Sequence, residues 1–408
     1  MHNRYDEIEK TLAEHFSKID EVAYRCTDRV LAAMKAENLS DRHFHWHTGY
    51  GYDDDGRRVL ESIYARVFFA EEALVRTQIV SGTHALSICL RALTNRGDSV
   101  FCPTGLPYET ILSTIGTVGN SPLSLKANGV DFDYIDLNEE DRMDIDLMLE
   151  CLPENCKMIY IQRSGGYSFR RAISIDEIAE LCKRVKAVRP ELIVMVDNCY
   201  GEFVEDREPS LVGADIVAGS LIKNPGGGLA LSGGYIVGKK NLVRLCADHL
   251  TAPGLGKNLG LSFGSVRSIL QGLFLAPGVV ASAVKGAIFA AKLFERAGYR
   301  VCPSAEEERS DIIQSIELGT EEKLLEFCKY IQAKSPVDSN VVPVPAPMTG
   351  YKSDVIMAAG AFVQGSSIEL SADAPLKEPF AVYLQGGLNY YHAKIAVISA
   401  YEAILNLQ

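Results

Sequence analysis

A lysine stands directly after an apolar run that has the pattern of a buried strand. Lys223 follows IVAGSLI (216–222) and precedes Asn-Pro-Gly-Gly-Gly. The carboxyl ends of parallel strands are where α/β proteins hold ligands. A lysine desolvated at such an edge can have a lowered pKa and act as a nucleophile that forms a Schiff base. The alternative is a loop lysine whose amine simply reaches water.

A carboxylate ends the preceding predicted strand. Asp197 closes the run LIVMVD (192–197), so neighbouring strand tips would bring it close to Lys223. A carboxylate beside the ring nitrogen of a pyridine cofactor keeps that nitrogen protonated. Strand-end aspartates also bind ribose hydroxyls or Mg²⁺, and those two alternatives stay open at this point.

A phosphate site is predicted where Ser81, Gly82 and Thr83 open an amphipathic helix. The first backbone N–H groups of a helix are free and lie at the positive end of its dipole, and the glycine lets a ligand approach the backbone. Ser220 could add a hydroxyl donor. Taken alone, the same residues are an ordinary helix cap.

The fourth element is an aromatic residue, Tyr108, in the turn-rich segment TGLPYETIL. An aromatic ring in such a loop can stack on the flat face of a ligand ring. Together, an anion cradle, a stacking aromatic, a carboxylate and a nucleophilic lysine describe one ligand, which is pyridoxal 5′-phosphate (PLP).

Six motifs spread over nearly the whole chain carry a family resemblance. They are GYGYDDDGR (49–57), VSGTHAL (80–86), LPYETI (106–111), VDNCYGEF (196–203), SLIKNPGGG (220–228) and YLQGGLNYYHAK (383–394). On these motifs the chain resembles the fold-type I PLP-dependent enzymes of cysteine and methionine metabolism, the group of the cystathionine lyases and methionine γ-lyase. Within that group it is most similar to the branch known as aluminium resistance protein or methionine γ-lyase-like.

The resemblance implies roles for individual residues. Lys223 would be the Schiff-base lysine, Asp197 the partner of the pyridine nitrogen, and Tyr108 the residue stacked on the ring. The residues expected to be catalytic are Lys223 and Tyr108. The residues expected to bind the cofactor are Ser81, Gly82, Thr83, Tyr108, Asp197, Ser220 and Lys223.

The resemblance also implies a reaction, carbon–sulfur bond cleavage in a sulfur amino acid. Lys223 would remove the α-proton, and elimination of a β- or γ-substituent would release a thiol, ammonia and a 2-keto acid. An aminotransferase or aldolase would use the same residues, and a stress-related PLP-binding protein without lyase activity would keep them. A Rossmann-type oxidoreductase is disfavoured because no G-x-G-x-x-G follows the first strand.

Two positions depart from the family pattern and affect substrate binding. A neighbouring subunit is expected to supply a Tyr-x-Arg pair, but this chain reads Tyr50-Gly-Tyr52. Glu369, in SSIELSAD, stands where the family has an arginine that clamps the substrate carboxylate. We therefore expect Tyr52 and Arg163 to bind the substrate, with Arg163 replacing the missing arginine.

Three histidines alternate in the polar, aromatic segment that precedes residue 50. His43, His45 and His47 have a spacing that can bind a metal ion, but no carboxylate or cysteine is placed to complete the set. We expect no metal, and an aromatic-rich segment near the active site or a subunit interface instead.

The elements that must position these residues follow from hydrophobic periodicity. Helices are predicted within residues 4–40, over 59–72 and in the segments 83–95 and 175–188. The predicted strands are 100–103, 133–137, 158–162, 192–198, 216–222 and 233–238. This alternation is typical of a mostly parallel sheet covered by helices.

The fold class expected is therefore α/β with a smaller C-terminal α+β domain, and the family resemblance implies that the large domain has the fold-type I PLP transferase-like fold. The expected divisions are an N-terminal arm and interface segment (1–58), the PLP-binding domain (59–285) and the small domain (286–408). Such enzymes build each site between subunits, so a homodimer is implied, which can pair into a homotetramer.

One long apolar stretch, residues 272–294, has the length of a membrane-spanning helix. It contains Pro277 and Lys285, and we interpret it as a core helix that links the two domains. Ten scattered cysteines without a C-x-x-C pair indicate core packing in a reducing compartment, and no secretory signal is visible, so we expect the cytoplasm.

Composition sets the outer limits. The chain has 408 residues, 47% apolar and 23% charged, which is ordinary for a globular protein of two or three domains. Lys and Arg number 41 against 53 Asp and Glu, a net charge of −12 that disfavours nucleic acid and anionic membranes as partners. The expected partners are a small amino-acid substrate and a second copy of the chain.

Overall fold

The structure, a computed structural model, describes residues 2–348 and 353–407 and contains two sheets. The strands are β1 (Glu72–Arg76), β2 (Ser99–Cys102), β3 (Asp131–Tyr134), β4 (Cys156–Gln162), β5 (Ile193–Asp197), β6 (Ile216–Ser220), β7 (Gly234–Gly238), β8 (Val301–Cys302), β9 (Ile313–Glu317), β10 (Val355–Ala358), β11 (Ser371–Pro375) and β12 (Ala381–Gln385).

Helices cover both sheets. The helices are α1 (His2–Thr11), α2 (Ala13–Ala36), α3 (Asp55–Val67), α4 (Gly82–Leu93), α5 (Glu109–Ile115), α6 (Ile145–Cys151), α7 (Ile175–Val188), α8 (Lys240–Leu250), α9 (Val266–Arg296), α10 (Glu321–Ala333) and α11 (Tyr390–Leu405).

The first sheet has seven strands in the order β1-β7-β6-β5-β4-β2-β3, and β7 alone runs antiparallel to its neighbours. Its central strands are buried on both faces, as in β5, where all five residues are buried. Helices α4 and α8 pack on one face, while α3, α7 and α9 pack on the other. This is the mostly parallel α/β arrangement that the alternating pattern predicted.

The second sheet is smaller and fully antiparallel, in the order β10-β11-β12-β9-β8, and α10 and α11 belong to the same part of the chain. The fold class is thus confirmed, an α/β part followed by a smaller α+β part. The division at residue 285 stays a prediction, because α9 is continuous through that position and joins the two sheets.

Local sequence explains why elements begin where they do. Helix α7 begins after Ser174, whose hydroxyl accepts from the Glu177 N–H while the Glu177 carboxylate accepts from the Ser174 N–H. This capping box satisfies two otherwise free donors. The predicted helix over 59–72 is partly wrong: α3 ends at Val67, and the chain turns into strand β1, which the sequence analysis missed.

The long apolar stretch lies within α9, whose 31 residues meet the length and composition of a membrane span. About two-thirds of its most apolar window is buried inside the protein. Its Lys285 pairs with Asp20 of α2 at 2.6 Å. The prediction of a core helix is therefore confirmed. The cysteines also pack as predicted, since all ten are free and eight are buried.

Candidate active site

A cavity of about 430 Å³ opens at the carboxyl ends of β5 and β6. All seven residues predicted to hold a cofactor line it, although they come from four separate segments of the chain. They are Ser81, Gly82, Thr83, Tyr108, Asp197, Ser220 and Lys223. The structure thus brings these residues together, at the sheet edge where ligands bind in α/β proteins.

The N-terminus of α4 forms one wall of the cavity. Ser81 is the N-cap residue, and its hydroxyl accepts from the His84 N–H at 3.1 Å. The Thr83 hydroxyl lies 2.9 Å from that of Thr110 at the start of α5. The first N–H groups of a helix have no partner within it, so this wall offers donors to an anion.

Gly82 allows α4 to pack tightly against the strand ends. A Cβ atom at this position would stand 3.3 Å from both the Cys199 Sγ and the Ser220 Cβ. A side chain here would therefore push the helix away from β6 or fill the space in front of it. The close approach brings the N-terminus of α4 into contact with the end of β6 at Ser220.

Asp197 ends strand β5 and is buried, with 7% of its surface exposed. One carboxylate oxygen accepts from the Cys199 N–H at 3.1 Å and the other from the Tyr160 hydroxyl at 3.4 Å. Burial raises the pKa of this carboxyl group, while the nearby Lys223 amine opposes the increase. A ligand cation would find a fixed anionic partner here.

The Lys223 amine lies over the ring of Tyr200, 3.8 Å from its centroid. Burial opposes protonation of this amine, but Cys199, Tyr200 and Asp197 favour it, and the balance raises the pKa of Lys223. The expectation that Lys223 has a lowered pKa is therefore wrong for the chain without a ligand. The sequence analysis placed Asp197 close to Lys223, but it did not identify Cys199 and Tyr200, which also favour the protonated amine.

Tyr108 precedes α5, and its position is set by a side chain of β4. The Gln162 Oε1 accepts from the Tyr108 N–H at 2.6 Å, and the Gln162 N–H donates to the Thr104 hydroxyl at 3.2 Å. The Tyr108 ring meets that of Tyr167 edge to face at 6.5 Å. The tyrosine is therefore held at the cavity by contacts that the sequence analysis did not identify.

A second wall, contributed by the smaller sheet and its preceding loop, was missed. Its polar residues are Gln364, Ser366, Ser367, Ser371, Asp373 and Gln385. A signal for two of them was available, because side chains two apart share one face of a strand. Ser371 and Asp373 are two apart in β11, so they share one face of that strand.

Arg163 does not reach the cavity. Its side chain is fully buried and donates to the Ile173 and Gly201 carbonyls, with further bonds to Asn198 and to Glu205 at 2.7 Å. Each guanidinium nitrogen already has a partner, so none is left for a substrate carboxylate. The prediction that Arg163 binds substrate is corrected: it ties together the segments that follow β4 and β5.

The histidine segment is held by hydrogen bonds. His43 is buried, and its Nδ1 accepts from the Ser40 N–H at 3.1 Å. Within residues 2–348 and 353–407, no group of three His, Cys, Asp or Glu side chains is placed to hold a metal ion.

Comparison with known proteins places the chain in a family. The family profile of methionine gamma-lyase matches residues 1–405. The chain belongs to the methionine gamma-lyase family. Members with this description are lyases.

Relatives within the methionine gamma-lyase family cover nearly the whole chain. YnbB of Bacillus subtilis (strain 168) is 47% identical over 403 residues, which are 98% of this chain and 96% of that protein. A Listeria monocytogenes structure, described as a candidate cystathionine beta-lyase involved in aluminum resistance, is 47% identical and has a TM-score of 0.97. The match covers 99% of this chain and 100% of that one. A Clostridium novyi structure, described as a carbon-sulfur lyase involved in aluminum resistance, is 45% identical and has a TM-score of 0.94. The match covers 98% of this chain and 94% of that one.

A more distant structure shows the shared fold. Apo CalE6, a methionine gamma lyase from Micromonospora echinospora, has a TM-score of 0.61 at 17% identity and covers 90% of this chain and 91% of its own. The fold is thus the one predicted from the sequence motifs.

Glu369 has a structural role in this member of the methionine gamma-lyase family. It is 3% exposed, and its two carboxylate oxygens accept from the Phe362 and Val363 N–H groups, each at 2.8 Å. It therefore fixes the loop that leads to Ser366 and does not line the cavity.

Tyr52 lies outside the Lys223 cavity and is 58% exposed. It borders a second cavity with Arg58, whose guanidinium pairs with Asp55. The guanidinium of Arg57 is buried and donates to the Gly51 carbonyl. A role for Tyr52 at the active site thus requires a second subunit.

Proposed function

We propose that this protein is a PLP-dependent carbon–sulfur lyase that acts on a sulfur amino acid. The carrying observation is the meeting of Lys223, Asp197 and the N-terminus of α4 in one cavity. A β-elimination would convert the substrate and one water molecule into a thiol, ammonia and a 2-keto acid, and a γ-elimination would give the corresponding products. We place the enzyme in the cytoplasm, in keeping with its ten free cysteines.

The residues present fit the cofactor. The tight packing at Gly82 leaves a helix N-terminus and the Ser220 hydroxyl for a phosphate group. Asp197 is a buried carboxylate suited to hold a protonated ring nitrogen, and the Tyr108 ring is fixed beside it in the same cavity. Lys223 is the amine that would carry the cofactor. When bound, PLP supplies an electron sink for negative charge at the substrate α-carbon.

The chain's own residues supply the proton transfers. Released from the cofactor, the Lys223 amine takes the α-proton at its Nζ and can return a proton to the product. Tyr108 would stack on the cofactor ring and limit access of water to that face. The buried hydroxyls of Ser366 and Ser371, which have no partner in the described chain, can donate to the substrate carboxylate in place of an arginine.

We further propose a homodimer as the active unit, which can pair into a tetramer. Exposed aromatic side chains support it, because Trp46, Tyr50 and Phe263 are 72%, 73% and 61% exposed. They form one patch, since the Gly260 N–H donates to the Tyr50 carbonyl and a Cβ at Gly264 would touch Trp46. Apolar patches of this kind mark interaction surfaces.

Replacing Lys223 tests the proposed function. We expect the purified protein to be yellow, and borohydride reduction followed by peptide mass mapping to locate the cofactor on Lys223. Lys223→Ala should lower thiol and 2-keto acid release by at least about 100-fold, because it removes the base. Lys334→Ala, at an exposed lysine, is the matched control and should keep full activity.

Two results would contradict this assignment. One is a protein that takes up no PLP, or carries it on another residue. The other is amino-group transfer to a 2-keto acid without thiol release, which would indicate an aminotransferase.

A further inference from the structure

Asp373 places an unpaired carboxylate oxygen at the active-site cavity. It lies on β11 and is 5% exposed. Its Oδ2 accepts from the Tyr167 hydroxyl and from the Gln385 amide, each at 2.8 Å. Its Oδ1 has no hydrogen-bond partner in the described part of the chain. A buried carboxylate oxygen without a partner is costly unless a ligand supplies a donor.

The charges that line the cavity are unequal. Among the residues described, Asp197 and Asp373 are its carboxylates, and Lys223 is its single cationic side chain. In the proposed enzyme Lys223 carries the cofactor and Asp197 faces the cofactor ring. Asp373, on the wall contributed by the smaller sheet, is then left without a cationic partner among residues 2–348 and 353–407 that line the cavity.

The ionisation of Asp373 suits a role near neutral pH. Burial raises its pKa to about 6, while the bonds from Tyr167 and Gln385 and the charge of Lys223 act in the opposite direction. The other titratable groups facing it are Tyr200 and Cys328, and burial raises the pKa of both, so they are neutral at pH 7.5. Asp373 is therefore mostly ionised at that pH.

We propose that Asp373 determines substrate specificity by accepting a hydrogen bond, at Oδ1, from a second ammonium group at the far end of a thioether amino acid. The substrate α-amino group must reach the cofactor on Lys223, whereas Asp373 stands on the other sheet. This inference rests on the proposed lyase function and names its substrate class, thioether amino acids with a cationic distal end.

A matched pair of substrates tests the proposal. S-(2-aminoethyl)-L-cysteine and S-propyl-L-cysteine have the same length, and an ammonium group in one replaces a methyl group in the other. The wild-type enzyme should prefer the aminoethyl compound in kcat/KM by about 10- to 100-fold, the range of a charge-assisted hydrogen bond. Asp373→Asn should bring this ratio close to one, because the asparagine removes the charge that distinguishes the two compounds.

A binding measurement separates this inference from the lyase function. S-(2-aminoethyl)- and S-propyl-3-mercaptopropionate lack an α-amino group and cannot react. Calorimetry on the holoenzyme should show tighter binding of the aminoethyl compound, and Asp373→Asn should abolish the difference. Asp131→Asn, on the exposed part of β3, removes one negative charge elsewhere and should preserve it.

A second variant guards against misfolding of Asp373→Asn. Tyr167→Phe keeps the carboxylate but removes a hydrogen bond that lowers its pKa. The wild-type preference should fade as the pH falls through about 6, and Tyr167→Phe should move that midpoint to higher pH.

The proposal is overturned if the wild type shows no preference in binding, or if Asp373→Asn retains it. If binding behaves as expected but no thioether is cleaved, the lyase function fails and the Asp373 subsite stands.

Discussion

Hydrogen bonds from neighbouring residues fix the segments that line the cavity. The Gln162 amide oxygen holds the backbone of Tyr108, and the Cys199 N–H holds the carboxylate of Asp197. Glu369 fixes the loop over 362–363 in the same way. The family resemblance expects an arginine that binds a ligand at position 369. This chain has a buried glutamate there, which accepts hydrogen bonds from the backbone.

Glu369→Arg should therefore damage the protein without improving substrate binding. It leaves the Phe362 and Val363 N–H groups without acceptors and buries an unpaired guanidinium, at a cost of about 2–4 kcal/mol in the free energy of unfolding. Denaturant unfolding checks the loss, and KM for the amino acid should not fall. Glu369→Gln keeps one acceptor oxygen and should lose less. An arginine variant of full stability and lower KM would show that the position still faces the substrate.

Between elements, glycines set how closely the turn after Lys223 packs on α9. A Cβ at Gly272 would stand 2.1 Å from the Gly226 carbonyl oxygen, and one at Gly227, where φ is +52°, 2.4 Å from the Gly272 carbonyl oxygen. The turn that follows Lys223 thus rests directly on the backbone of the long core helix. Any side chain between them must move the turn.

Gly272→Ala should weaken both folding and cofactor binding. Because the added methyl group meets backbone, we expect a loss of about 1–3 kcal/mol in the free energy of unfolding. Cofactor affinity, measured by absorbance titration, should fall with it. Gly278→Ala is the matched control on the same helix, since its Cβ would meet nothing within 4 Å. Its better helix propensity should stabilise by about 0.5–1 kcal/mol. Equal effects of the two alanines would contradict the packing argument.

At the scale of the whole molecule, the position of Tyr52 bears on whether one chain forms the active site alone or needs a residue from a second chain. Tyr52 is exposed and borders a different cavity from that of Lys223. The aromatic patch around Tyr50 is available for contact with a second copy. We therefore expect a particle of about twice the 44.6 kDa chain mass, or four times if dimers pair.

Subunit complementation tests this arrangement. Lys223→Ala and Tyr52→Ala homodimers should each have low activity, the first through loss of the base and the second through loss of the partner's contribution. Co-expressed together, they should form mixed dimers with one intact site, and recover about a quarter of wild-type activity. Light scattering provides the mass. Activity no greater than that of the separate variants would place Tyr52 outside the partner's site.

The sequence by itself determined the α/β pattern and identified seven residues that line one cavity, which we propose as the cofactor site. Strands β2 and β4 to β7 were found because each is a short apolar run between turn residues. Asp197 was found because it ends such a run, and Lys223 because it directly follows one. These are local signals. Strand β3 was predicted over 133–137 but spans Asp131–Tyr134, because three of its four residues are exposed and its apolar signal is weak. Strand β1 was missed because its five residues follow α3 without a clear break in the apolar pattern.

Only the tertiary structure decided where side chains point. Arg163 follows a strand as Asp197 does, yet it is buried among carbonyl groups and Glu205 while Asp197 lines the cavity. Asp373 reaches the site because the smaller sheet folds against the larger one, a contact between residues far apart in the chain. Periodicity gives the face of a strand, but the partner across that face depends on packing between distant segments, and that packing decides which polar groups stay unpaired and free to bind a ligand.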